Sequence, residues 1–378
     1  MSLDDILNQE LASFMNPEQE EFTYTNKAVI PEQPVTPDVI QALRQNPPYI
    51  QEMLQKIEDM DIYAQNRGTM GLDWGFQCLN ESFNGLNPGL HLVAGGANTG
   101  KSAFLLEVSR RVTEKNQFQT EDHPKKAYCM YFSLDDSMNE LMPRMIASSQ
   151  RITINQALFP KTLDGKPIIK EKRERGIQAL RENAEFFSMH DATEGQTVQY
   201  IEAVLAKRHQ QLELIAPDEY QIVVFIDNFH DIMVDDSVRG LTEDNARFDF
   251  ISGRLNELAI AYNVPIICSA EFRKISTMKR PAEEDIKSSG KITYESKGTI
   301  LVYNEVGIKG ENANIYWNLG SADGQGEDRK MPVFEMHISK NKFSSYKGRK
   351  FLKFIPEMAT FMEASDEEEL TFQQMMRG

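Results

Sequence analysis

Between residues 70 and 303, short apolar runs alternate with stretches of helical period. Residues 90–94, 127–134, 222–227, 264–270 and 299–303 are each of strand length and nearly continuous in apolar side chains. Such runs suit strands covered on both faces, and their alternation with helices predicts a mostly parallel sheet in an α/β domain. Residues 333–339 and 350–355 flank 340–349 with little helix between them, which predicts an antiparallel hairpin extending the sheet. Upstream, 37–65 reads as helical. It starts at the Thr36-Pro37-Asp38 cap, breaks at Pro47-Pro48, and resumes with Ile50, Met53, Leu54 and Ile57 at three- and four-residue spacing. The first 36 residues are acidic, contain Pro17, Pro31 and Pro34, and have no sustained period, so they are expected to form a flexible arm. The expected division is an arm at 1–36, a linker helix region at 37–66, the α/β domain at 67–356 and a mobile acidic tail at 357–378.

Charge changes this picture only through its location. The chain of 378 residues has a formal net charge of −16, but 1–66 carry −9 and 357–378 carry −5. The 290 residues between are therefore near −2, and the total acidity does not argue against a nucleic-acid ligand for the domain. No apolar run approaches the roughly 18–20 residues of a membrane span, and the N-terminus has no signal-peptide pattern. Three widely spaced cysteines (Cys78, Cys129, Cys268) make no disulfide framework, so a reducing cytoplasm, in a bacterium or a phage-infected cell, is expected.

The sharpest chemical signal is Gly95-Gly96-Ala97-Asn98-Thr99-Gly100-Lys101-Ser102, a complete G-x-x-x-x-G-K-[ST] loop between a predicted strand and a predicted helix. Glycines let backbone N–H groups close around a phosphate, and the helix N-terminus adds its positive end. Lys101 is expected to reach the β- and γ-phosphates of ATP, and Ser102 to ligate Mg²⁺. The run 222–227 ends in Asp227, which suits the second magnesium ligand at the sheet's carboxyl edge. The run 127–134 leads into Asp135-Asp136. Asp135 is the candidate base, while the same pair also reads as a cap for the helix that follows, and both roles fit, one for each acid.

Several further blocks follow one another in a telling order. They are Met70-Gly71-Leu72, Leu79-Asn80, Asn84-Gly85-Leu86, the phosphate loop, and Phe132-Ser133-Leu134-Asp135-Asp136 with Leu141, Arg144-Met145 and Ala147-Ser148. Then come Ile226-Asp227, Asn263-Val264-Pro265-Ile266, Ser269-Ala270-Glu271, Ser289-Gly290 and Ser339-Lys340-Asn341-Lys342. Over 67–356 this resembles the motor domain of DnaB-type replicative helicases. The resemblance implies a RecA-like P-loop fold, a homo-oligomeric ring (commonly a hexamer), ATP sites at subunit boundaries, and single-stranded DNA moved through a central channel. In that family the acid after Ser-Leu is a catalytic Glu, which maps to Asp135, one methylene shorter. The γ-phosphate sensor is a Gln, which maps to Glu271. A Lys and an Arg finger reach the neighbour's phosphates and map to Lys340 and Lys342, where lysine supplies charge without a bidentate fork. No counterpart of the family's N-terminal collar domain is expected, and 37–65 is expected to take the place of a linker helix that packs on the adjacent subunit or folds back on its own domain.

The stretch 273–297 is basic, rich in Ser, Pro and Gly, and reads as a long loop region. Arg273, Lys274, Lys287, Ser289, Gly290 and Lys291 are the expected DNA contacts, gripping backbone phosphates by charge. Residues 340–353 hold six Lys+Arg and no acid, which predicts a negatively charged partner for the hairpin. The acidic ends are expected to dock a basic protein or to shield the chain from non-specific DNA. Two other readings stay open: a recombinase that coats DNA as a filament, and a nucleotide-binding scaffold with reduced motor activity.

Overall fold

The computed structural model describes residues 53–59, 71–118, 125–236, 238, 243–273, 280–287, 290–319 and 329–377. The chain divides into two compact units, 1–57 and 58–378. Of the predicted helix at 37–65, residues 53–59 are described and helical. The arm at 1–36 lies outside the described residues.

Within the second unit, all five predicted strands form, each with bounds within two residues of the expected ones. They are β1 (Gly89–Gly95), β2 (Lys126–Ser133), β4 (Tyr220–Asp227), β5 (Pro265–Glu271) and β6 (Gly298–Asn304). A further parallel strand, β3 (Phe187–Asp191), adds to β2 at one edge. On the other side, β8 (Arg329–Asn341), β9 (Gly348–Ile355) and β10 (Thr360–Glu363) run antiparallel, and β7 (Tyr316–Leu319) pairs with β8. The sheet order is β10-β9-β8-β6-β1-β5-β4-β2-β3.

Strand side chains alternate between two cores. Ala127, Cys129, Tyr131, Val223 and Phe225 join a cluster with Phe104, Leu105 and Val108 of helix α2 (Lys101–Lys115). Tyr128, Met130, Ile222, Val224 and Ile226 face a second cluster with Ile201 and Leu205 of α6 (Val198–Ile215) and Ile251 and Leu255 of α7 (Asp244–Ala261). The nearly continuous apolar runs are thus explained by burial on both sides.

His91 of β1 is a buried titratable group in the first core. Its Nε2 lies 2.8 Å from the Asn87 carbonyl, and its ring stacks on Phe343 at 5.2 Å. Burial lowers its pKa to about 4, with the Asn87 contact opposing. An unfolded histidine titrates near 6.5, so this group's contribution is complete above that pH and is lost as pH falls towards 4. Denaturant titrations at pH 7 and pH 4 should show wild type losing about 3 kcal/mol more stability than His91→Leu. An equal loss would mean the imidazole charges freely in the fold.

The expected mobile tail is instead structure. β10 pairs with β9 through Thr360↔Ile355 and Phe361↔Phe354, and helix α10 (Asp366–Arg377) buries Phe372 against Phe351. Its acids are first-turn residues, which the helix dipole favours. Ser365 and Glu368 cap it reciprocally, through Ser365 N–H to Glu368 Oε2 at 2.9 Å and Glu368 N–H to Ser365 Oγ at 3.3 Å.

Residues 273–297 also differ from one long loop. A bridge joins Phe272 to Ile286, Arg273 N–H donates to the Asp285 carbonyl at 2.7 Å, and Lys291–Glu295 form the short helix α8. Arg280 is held within the chain by Glu335 at 2.9 Å.

Candidate nucleotide site

Parallel register sets the site. Gly95 is level with Glu271 across β1 and β5, and Ser133 with Asp227 across β2 and β4. The phosphate loop, Asp227, Glu271 and Asp135 therefore share the carboxyl edge of the sheet, where open α/β sheets bind ligands.

The loop leaves β1 and enters α2 directly. Asn98 and Gly100 take left-handed φ values of 57° and 98°, which bring the backbone round in a tight cradle. A Cβ on Gly95 would lie 2.5 Å from Val302 Cγ2 and 2.9 Å from Thr99 Oγ1, so only glycine lets the loop close there. Thr99 Oγ1 donates to the Gly96 carbonyl at 2.9 Å, and Lys101 Nζ donates to the same oxygen at 2.8 Å. Ala97 is exposed at the loop's tip and Ser102 is half-buried at the first turn of α2. Burial draws the Lys101 pKa down, opposed by the nearby charges of Glu271 and Asp227.

Asp227 is buried, with 6% of its surface exposed. It accepts hydrogen bonds from Ser269 Oγ, from Tyr131 OH at 3.3 Å, and from Ser102. Burial raises its pKa, while Ser269, Ser102 and Lys101 pull it back. A carboxylate in hydrogen-bond reach of Ser102 is an arrangement suited to a divalent cation.

The Asp135-Asp136 pair divides its work, though not by capping. Helix α3 (Met138–Gln150) is capped by Ser137 with Glu140, so neither Asp is the cap. Asp136 instead pairs with Arg144 at 2.5 Å, tying the strand end to α3. Asp135 is exposed at the edge. Asp231 joins these acids. Its pKa is raised by burial and then by the charges of Asp135, Glu271 and Asp227.

A family model for the DnaB-like helicase C terminal domain matches residues 71–363. The chain belongs to that family. Among relatives, the replicative DNA helicase DnaB of Buchnera aphidicola subsp. Schizaphis graminum is 24% identical over 314 residues, covering 80% of this chain and 61% of the relative. That of Leifsonia xyli subsp. xyli is 23% identical over 270 residues, covering 70% and 54%. The chain thus spans little more than half the length of these DnaB relatives. Among solved structures, an isolated ATPase domain has a TM-score of 0.65 at 18% identity, covering 87% of this chain and 100% of that one. A DnaB-like replicative helicase, solved in a study of its interactions with primase, has a TM-score of 0.63 at 18% identity, covering 87% and 74%. The expected RecA-like fold therefore holds for this DnaB-like domain.

The finger candidates lie elsewhere. Asn341 pairs with Gly298, which is level with His91, so Lys340 and Lys342 sit at the amino edge of β1, roughly 13 Å of strand away from Gly95. Lys340 Nζ donates to the Thr293 and Tyr294 carbonyls at 2.5 and 2.8 Å, at the C-terminal end of α8. Lys342 is exposed. The hairpin's charge is partly answered within the chain: Arg349 pairs with Glu335 at 2.6 Å, Lys350 with Glu369 at 3.7 Å and Lys353 with Glu368 at 2.6 Å. The inference of an external anion for the whole hairpin is corrected accordingly. Among the described residues, Lys342 and Lys347 make no ion pair.

Of the expected DNA contacts, Lys274 and Ser289 lie outside the described residues. Arg273, Lys287, Gly290 and Lys291 are exposed. Lys287 is next to the nucleotide edge, because its N–H donates to the Glu271 carbonyl at 2.8 Å. Sequence reasoning missed Ser269, Tyr131, His230 and Asp231. His230 and Asp231 had a readable signal, since they fall within four residues of the strand end at Asp227. Ser269 and Tyr131 emerge only from register.

Proposed function

We propose that the chain is the motor of a ring-forming, ATP-driven helicase that translocates on single-stranded DNA in replication. One observation carries this reading: the phosphate loop and Lys342, a cation without an ion pair among the described residues, lie at opposite edges of one sheet. A cation so placed is out of reach of its own loop, head-to-tail association would bring it to the loop of the next copy, and such contacts make a ring where the rotation closes. The Gly95 cradle, Lys101 and the buried Asp227–Ser102 pair fit magnesium-bound ATP. When bound, the metal would neutralise charge developing on the phosphate oxygens. Lys101 would hold the terminal phosphates, Asp227 and Ser102 would bind the metal, Asp135 would orient water, and Glu271 would face the γ-phosphate. Arg273, Lys274, Lys287, Ser289, Gly290 and Lys291 would grip the DNA backbone by charge, without sequence preference and with strong salt dependence. The acidic segment 1–66 would dock a basic protein.

The test is ATP turnover with and without a single-stranded oligonucleotide, together with images of the particle. Stimulation by DNA and closed rings are expected. Filaments on DNA would favour the recombinase, and nucleotide binding without turnover would favour the scaffold.

A further inference from the structure

His230 is used by none of the steps above, yet its contacts are specific. The residue is 7% exposed, and its ring packs edge-on against Phe248, with centroids 5.2 Å apart. Its backbone is fixed by a hydrogen bond from His230 N–H to Asn228 Oδ1 at 2.8 Å. The Glu271 backbone N–H points at its Nδ1 at 3.2 Å, and its Nε2 contacts the Lys287 carbonyl. The circle is closed by Lys287 N–H donating to the Glu271 carbonyl at 2.8 Å.

This geometry fixes the tautomer. An amide N–H only donates, so Nδ1 must be the acceptor, and a carbonyl only accepts, so Nε2 must carry the proton. The protonated ring would turn a donor against the Glu271 amide. Burial agrees, lowering the His230 pKa to about 4.

We propose that His230 is a positioning residue, a neutral imidazole that bolts Lys287, on the segment assigned to DNA, to Glu271 at the nucleotide edge, so that DNA held at Lys287 is felt at Glu271. Three hydrogen bonds and the adjoining Phe272–Ile286 bridge make the two backbones one unit. The Lys287 side chain is exposed while its main chain is locked, so DNA that shifts the main chain here must either strain the circle or move Glu271. The inference rests on the motor reading and names the device by which that motor couples its two ligands.

His230→Gln keeps one acceptor and one donor. His230→Phe keeps the ring and removes both. Turnover with and without a single-stranded oligonucleotide gives the stimulation ratio, and hydrogen exchange at the Lys287 amide reports the bolt independently of activity. For His230→Phe, the ratio should fall by about tenfold and the amide should exchange at least about tenfold faster. His230→Gln should retain most of both. Full stimulation in His230→Phe would overturn the proposal, as would equal losses in the Gln and Phe variants, which would assign the effect to packing. If wild type itself is not stimulated, the motor reading fails and the exchange rate decides the bolt: unchanged protection in His230→Phe would remove it.

Discussion

Lys101→Ala should lower ATP turnover by at least about 10²–10³-fold while leaving the fold intact. The ammonium is buried in the phosphate cradle, held over the Gly96 carbonyl and in the field of Glu271 and Asp227. Alanine at the first residue of α2 is a good helix former, so the helix itself does not suffer. Losing the cation leaves Asp227 less compensated, but Ser269 and Tyr131 still donate to it. Turnover assays with far-UV circular dichroism and binding of a fluorescent nucleotide check this. Wild-type turnover in a folded Lys101→Ala protein would remove the phosphate assignment.

Lys342→Ala should lower turnover by about 10²-fold, and only in the assembled state. An arginine finger is worth roughly 10³–10⁵ in such sites, and a lysine lacks its fork, so a smaller factor is expected. The substitution spares the loop that carries it. Asn341 shapes that loop, its Oδ1 accepting from Phe343 N–H at 3.0 Å and Ser344 N–H at 3.2 Å, and its Nδ2 donating to the Ser82 carbonyl at 2.7 Å. Turnover per subunit, measured across a dilution series, separates the cases. Wild type should gain activity as it assembles, and the variant should not. An equal fractional loss in dilute, dissociated subunits would place Lys342 in its own chain's chemistry.

The parts of this architecture legible in the sequence were those written in consecutive residues. β1, β2, β4, β5 and β6 are buried on both faces and so are nearly continuous in apolar side chains. β3 is only half-buried along its length, and β7 and β10 are four residues each, too short to raise a pattern. The acids 366–369 read as disorder because the cations that pair with Glu368 and Glu369, Lys353 and Lys350, sit on β9, outside the helix's own pattern. Yet the Ser365–Glu368 capping box and Phe372 were visible. At the site, the phosphate loop and Asp227 could be read directly, since their chemistry needs a local motif at a strand end. Tyr131 and Ser269 reach Asp227 only because β2, β4 and β5 lie side by side, and the division of Asp135 from Asp136 depended on where Arg144 fell.

The central claim is that each active centre takes Lys101 from one copy and Lys342 from the next. Its most direct measurement is the ATP turnover of co-assembled Lys101→Ala and Lys342→Ala subunits. Each variant alone is expected to be nearly inactive. Mixed in equal amounts, random rings contain interfaces where both lysines are intact, and activity should recover to about a quarter of wild type. A mixture as inactive as its two components, with assembly verified, would contradict the account.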